Sequence, residues 1–279
     1  MRLFSLLALL LSFVSSANAQ TTPPDEGVRG VWLTNVASDV LISKENIASA
    51  MDYLAANGFN VVFPVVWNKG YTLYPSQVMA DTFGEQYRQD LTYVNQQRDP
   101  LAEVVAEARR VGLEVIPWFE FGFAASFSQG GGHIIAQKPE WAAIGTDGKL
   151  VVKNGFDWMN GLHPGPQGLM LDLIQEVLDT YDVDGVQGDD RLPATPSEAG
   201  YDDYTKALYL AETGRTAPTN TKDNDWLIWR GSKLTQFLGR MYRQVKAADS
   251  DLYVSLSPSH YPFGFVEYLQ NTPQWIDSS

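Results

Sequence analysis

Strand-like and helix-like stretches alternate along this chain, and the connections between them are unequal. The returns from helix to strand are one or two residues long: Asn57-Gly58, Val111-Gly112 and Asp182. The segments that follow strand ends are long and polar, over about 68–98, 121–155 and 191–224. Six runs read as strands: RGVWLT (29–34), NVVFPVVW (60–67), EVIPWFE (114–120), FDWMN (156–160), VDGVQGDD (183–190) and YVSLSPS (253–259). The second is nearly continuous in apolar residues, as in a strand buried on both faces. Between the strands lie helical stripes at three- and four-residue spacing. The first has Ile47, Ala50, Met51 and Leu54, with Ser43 as N-cap and Asn57-Gly58 as stop. Later stripes carry Leu101, Val104, Val105 and Ala108, then Met170, Leu173, Ile174, Val177 and Leu178, then Leu234, Phe237, Leu238, Met241, Tyr242 and Val245.

One-way alternation predicts a parallel α/β sheet. Long loops gathered after the strands predict a (β/α)8 TIM barrel with its working face at the strand C-termini. A doubly wound sheet is the weaker reading, because LTNVASDV after the first strand is no glycine-rich phosphate cradle. Six strands are two short of a barrel, and NTPQWIDSS makes no closing helix. The expectation is therefore a barrel domain over 28–279 whose last strands lie outside this sequence.

Ahead of the barrel stands MRLFSLLALLLSFVSSANAQ, with an early Arg2, an apolar run and a small-residue end at Ala17-Asn18-Ala19. This predicts a signal peptide over 1–19, a flexible lead over 20–27, and an exported, periplasmic or extracellular protein. No later stretch reads as a membrane span. Twenty Lys+Arg against 33 Asp+Glu give a net charge of −13, which argues against nucleic acid as a partner. The chain has no cysteine, so thiolate chemistry, disulfides and cysteine-ligated zinc are excluded. At 44% hydrophobic residues, the chain has enough apolar material for a large core.

Candidate chemistry gathers at the strand ends. Side chains alternate faces along a strand, so Val186 facing the helices would put Gly185, Gln187 and Asp189 inside and leave Asp190 behind. The same parity groups Ile116, Trp118 and Glu120. Trp158 shares a face with Asn160, and Ser255 with Ser257. The Asp189-Asp190 pair reads as a carboxylate site, a cation site or a loop cap. With strands three and five two positions apart, Glu120 and Asp189 fall within reach of the carboxylate separations that glycosidases use, roughly 5 to 9.5 Å. Cation binding by Asp184, Asp189 and Asp190 lacks further ligands at recognisable spacing, and no metal or other cofactor is expected. His163 and His260 follow strands and reach the same end, but without HExxH spacing or a G-x-S-x-G elbow. Trp67, Trp118 and Trp158 near strand ends suit sugar stacking or core packing equally.

RGVWLT, NVVFPVVWNKGYTLYPS, LEVIPWFEFG, DWMNGLHP and YDVDGVQGDD, in that order, resemble the bacterial glycosyl-hydrolase-like family 10, over about 28–279. The resemblance implies a (β/α)8 catalytic domain acting on a polysaccharide, with some relatives cleaving peptidoglycan glycan that has lost its stem peptides. The family's acidic strand end falls on Asp189 and Asp190 and its WFE on Glu120, where related barrels often carry Asn. The family's proline after Asn160 is replaced by Gly161. The expected activity is glycoside hydrolysis, with Asp189 as the central carboxylate, Glu120 as the acid and Asp190 in reserve. Asn160, Gln187, His260 and His163 would bind sugar hydroxyls, and Trp118, Trp67 and Trp158 would line the sugar path. The competing expectations are a non-catalytic polysaccharide-binding barrel and a metal-dependent carbohydrate deacetylase or esterase.

Overall fold

The computed structural model describes residues 27–277. The expected signal peptide, and the lead apart from Gly27, lie outside the described residues. Strand β1 (Gly30–Leu33) leads to helix α1 (Lys44–Ala56), whose first turn is capped by Ser43 Oγ accepting from the Asn46 N–H at 3.1 Å. Strand β2 (Val61–Pro64) runs into a two-residue-turn hairpin, β3 (Trp67–Asn68) and β4 (Tyr71–Thr72). Short helices α2 (Gln77–Phe83) and α3 (Leu91–Val94) complete the first long insertion. Glu176 caps α2 from a distance, accepting from the Gln77 and Val78 N–H groups, so the insertion is pinned to the body rather than loose.

Helix α4 (Pro100–Val111) starts at an Asp99 cap and Pro100, stops at Gly112, and feeds β5 (Glu114–Val115). The second insertion holds β6 (Ala124–Phe127), α5 (Gly132–Gln137), β7 (Val152–Lys153) and β8 (Phe156–Trp158). Helix α6 (Pro164–Thr180) and β9 (Gly185–Gln187) follow, then α7 (Asp203–Thr213) and the 25-residue α8 (Asn224–Ala248). Strand β10 (Tyr253–Ser255), α9 (Phe263–Tyr268) and α10 (Thr272–Asp277) end the described chain, so the segment NTPQWIDSS, expected to form no helix, carries a short one. Among the described residues, no helix is long and apolar enough to cross a membrane.

Five strands run parallel in the order β1-β2-β5-β9-β10. The middle join is made beyond β5: the Gln187 N–H donates to Pro117 O at 2.8 Å and the Phe119 N–H to Gln187 O at 2.9 Å. The expected fourth parallel strand is corrected here. Phe156–Trp158 pairs antiparallel with β6 and β7 in a separate three-stranded sheet, so the strands ending in Glu120 and Asp189 are direct neighbours. The parallel set is thus five, not six.

The expected parity holds. Leu33, Val62, Val115 and Val186 pack outward into the helix layer, whereas Val61, Phe63 and Ile116 form a second cluster with Trp118 and Tyr253 on the inner face. The sheet curls toward that inner face. Trp32 on β1 donates its indole N–H to Gln187 Oε1 on β9 at 2.5 Å, across three strand spacings. A flat sheet would set those backbones roughly 14 Å apart. Trp32 stacks on Phe63 and remains 48% exposed.

Candidate active site

The regular strand ends at Gln187, and the chain turns immediately: the Leu192 N–H donates to Asp189 O at 3.2 Å. Parity therefore stops predicting side-chain direction just before the two aspartates, which were expected with Asp189 inward and Asp190 behind it. Asp189 is the sheltered one, its side chain 14% exposed, while that of Asp190 is 47% exposed.

Arg191 organises the cluster. Its Nη2 donates to Asp189 Oδ2 at 2.8 Å and lies 4.0 Å from Glu120 Oε1. Its Nε donates to the Glu120 carbonyl at 3.0 Å. Nη1 sits 2.7 Å from Asp190 Oδ1, an ion pair without the alignment of a hydrogen bond. The guanidinium lies 4.5 Å from the Phe156 ring centre and 5.7 Å from that of Phe121. Phe156 belongs to the antiparallel sheet, so that excursion supplies one wall of the carboxylate cluster. Gly122, at φ +47°, lets the two chains close: a Cβ there would come 2.2 Å from Arg191 O.

Burial raises both inner carboxylates. Asp189 is pushed up to about 7, by desolvation first and then by Asp190, against the pull of Arg191. Glu120 is raised by desolvation, while Arg191, a hydrogen bond from Asn68 Nδ2 and the charge of Lys69 pull it back. Two neighbouring acids thus sit in one pocket, both with raised proton affinity, as is common at sites of acid/base chemistry.

Below the carboxylates, Gln187 accepts from Trp32 and donates from Nε2 to Ser255 Oγ at 3.0 Å, and Trp118 lies 6.3 Å from Trp32, ring centre to ring centre. Trp118 and Gln187 therefore share the inner face with the cluster. His260 is exposed on the loop after β10 and stacks on Phe263. That loop is tied to the cluster by Gln270, which accepts from the Ser259 N–H and donates to Asp190 O at 3.0 Å.

Four other expected contacts are not brought to the cluster. Trp67 is fully buried, with its indole N–H on Gly122 O at 3.0 Å. Trp158 is buried against Tyr268. Asn160 is fully buried, its amide donating to Asp202 Oδ2 and Thr205 Oγ1, both at 2.9 Å. His163 caps α6, its Nδ1 accepting from the Gly165 N–H, and packs on Tyr204. These side chains hold the loops that frame the mouth. An apolar cavity of about 700 Å3 lined by Leu238, Val254 and Trp275 lies on the outer side of β10 and has no part in the cluster. Among the described residues, no group of three His, Asp or Glu side chains is arranged to hold a metal ion.

The sequence reading missed Arg191, Asn68 and Trp32. Arg191 had a signal: a cation directly after two aspartates at a strand end. Asn68 had none, because its meeting with Glu120 is made by the fold.

The model of the family described as glycosyl hydrolase-like 10 matches residues 27–279. The chain belongs to this family. Glycosyl hydrolase DigH of Escherichia coli K12 is 22% identical over 94% of this chain and 65% of its own length. Glycosyl hydrolase YngK of Bacillus subtilis is 23% identical over 89% of this chain and 48% of its own. This glycosyl hydrolase-like 10 chain thus spans about half to two-thirds of the length of those relatives. In structure it resembles the PgaB glycoside hydrolase domain of Bordetella bronchiseptica, with a TM-score of 0.62 at 13% identity over 90% of this chain and 72% of that one. It also resembles an α-L-fucosidase isoenzyme of Paenibacillus thiaminolyticus, with a TM-score of 0.57 at 20% identity over 83% and 32%. These neighbours share the fold, one common among TIM-barrel glycoside hydrolases.

Proposed function

We propose that this chain is the catalytic unit of an exported glycoside hydrolase that cuts cell-wall polysaccharide, with peptide-free peptidoglycan glycan as its substrate. The observation that carries the reading is the buried Glu120–Asp189 pair, sharing one guanidinium nitrogen at the C-terminal end of a parallel sheet. The substrate and the export rest on the family resemblance and on the expected signal peptide.

The proton affinities assign the roles. Asp189, raised to about 7, keeps its proton near neutrality and donates it to the glycosidic oxygen. Glu120, raised by desolvation but with Arg191, Asn68 and Lys69 favouring its anion, would act as base or nucleophile. This assignment gives Asp189 the acid role that the aromatic neighbours of Glu120 led the sequence to give to Glu120. Because Arg191 Nη2 is 2.8 Å from Asp189 and 4.0 Å from Glu120, the two nearest oxygens are no farther apart than those distances combined. That bound places the two carboxyls within the span over which glycosidase acid pairs work. Gln187, His260 and Trp118 would contact the sugar, with Trp32 as a further stacking surface.

The test is incubation of the protein with peptide-free and peptide-bearing peptidoglycan, followed by mass spectrometry of soluble products. Release of disaccharides or oligosaccharides from the peptide-free strands, lost in Asp189→Asn and Glu120→Gln, supports the reading. No release by the unaltered protein refutes it. One observation favours the binding-barrel alternative: Arg191 pairs with all three carboxylates, as a structural ion cluster would. That alternative predicts glycan retention without turnover, unaltered in Asp189→Asn.

A further inference from the structure

The carboxylate cluster holds three acids against one arginine, so an anionic substrate needs a cation from elsewhere. Among the described residues the neighbouring cations are mostly committed. Arg191 is inside the cluster, and Lys153 is bound to Glu198 and Glu267 and lies over Tyr268. Lys69 differs. Its side chain is exposed and has no ion-pair or hydrogen-bond partner among the described residues, and its charge is felt at Glu120.

Its backbone is fixed beside the site. The β3–β4 hairpin pairs Trp67 with Thr72 and Asn68 with Tyr71, which leaves Lys69-Gly70 as a two-residue loop. Both loop residues have positive φ, +51° and +81°, as a type I′ turn requires. A Cβ on Gly70 would come 2.8 Å from Ala125 O and 3.2 Å from His133, so the turn lies flush against the second insertion. The strand before the turn is anchored by Trp67 on Gly122 O and by Asn68 on Glu120. A free ammonium is thus mounted on a rigid turn one residue from a ligand of the candidate base.

We infer that Lys69 is a specificity residue that binds the free lactyl carboxylate of a muramic acid unit, which exists only where the stem peptide has been removed. The inference rests on the glycan-hydrolase reading and sharpens it. In peptide-bearing strands the same group is a neutral amide, so a lysine at this place would select the peptide-free polymer by charge.

The experiment compares two glycans: peptide-free strands, and the same strands with their lactyl carboxylates converted to methylamides. Each is offered to the unaltered protein, Lys69→Gln and Lys69→Arg at low and at 0.5 M salt. The unaltered protein is expected to prefer the free acid by about fivefold in kcat/KM, carried mainly by KM and weakened by salt. Lys69→Gln should lose the preference and cut both strands with the same kcat/KM, and Lys69→Arg should keep it. An unchanged preference in Lys69→Gln overturns the role of Lys69 and leaves the hydrolase reading standing. Failure of the unaltered protein to cut either strand overturns both.

Discussion

Strand β9 carries an arginine–carboxylate cluster at each end, and the two differ most in burial. At its start, Arg109 pairs with Asp182 at 3.1 Å and with Asp184 at 3.0 Å, and the Asp182 side chain is 82% exposed. At its finish, Arg191 pairs with Asp189, Asp190 and Glu120, and the inner two acids are about 15% exposed. The residue chemistry is the same. Water screens the lower cluster, which joins a loop to the sheet; the upper one is walled by Phe121 and Phe156 and pushes Asp189 up to about 7. Burial, supplied by the second insertion, turns an ion cluster into candidate acid/base machinery.

The comparison breaks first at the carboxylates. Asp189→Asn or Glu120→Gln should lower the rate of glycan cleavage by roughly 10²–10⁴-fold, the usual worth of a general acid or base. Asp184→Asn should leave the rate near that of the unaltered protein; kinetics on one glycan preparation measure all three. The arginines come next. Arg191→Met strands buried carboxylates and should cost about 3–5 kcal/mol. Arg109→Met, at a largely solvated site, should cost about 1 kcal/mol or less. Urea unfolding compares them.

The pH dependence of stability separates the ends further. Asp189 binds its proton more tightly folded than unfolded, so its contribution to stability is greatest at low pH. It falls as pH rises from the ordinary aspartate range through about 7. Asp189→Asn should remove that fall and be the more stable protein at pH 8, as thermal melting would show. The smallest effect is at Asn68, whose amide lowers the proton affinity of Glu120. Asn68→Ala should move the acidic limb of the pH–rate profile upward.

Much of this was legible in the sequence, for reasons that mark where legibility ends. Ser43, the Asn57-Gly58 stop and the stripe of α8 are local signals, and the helices formed where they pointed. Parity along VDGVQ and EVIPW put Gln187 and Trp118 inside, because strand alternation is a property of the backbone. FDWMN was misassigned because strand propensity does not name a partner. The Asn154-Gly155 pair just before it was the missing clue, since Asn-Gly between two strand-like runs marks a hairpin. Trp67, Trp158 and Asn160 looked like site residues because strand ends attract such readings; only the loops that pack over them show that they are buried. The meeting of Asn68 with Glu120 spans 52 positions and belongs wholly to tertiary structure.

The central claim is that Asp189 is a buried acid that still holds its proton near neutral pH. Carbon-13 NMR of the protein with labelled aspartate side chains measures this directly, with Asp189→Asn to assign the resonance. A carboxyl titration for Asp189 with a midpoint at about 7 is the predicted result. A midpoint in the ordinary aspartate range, about 4, would contradict it and leave the Arg191 cluster a structural ion pair.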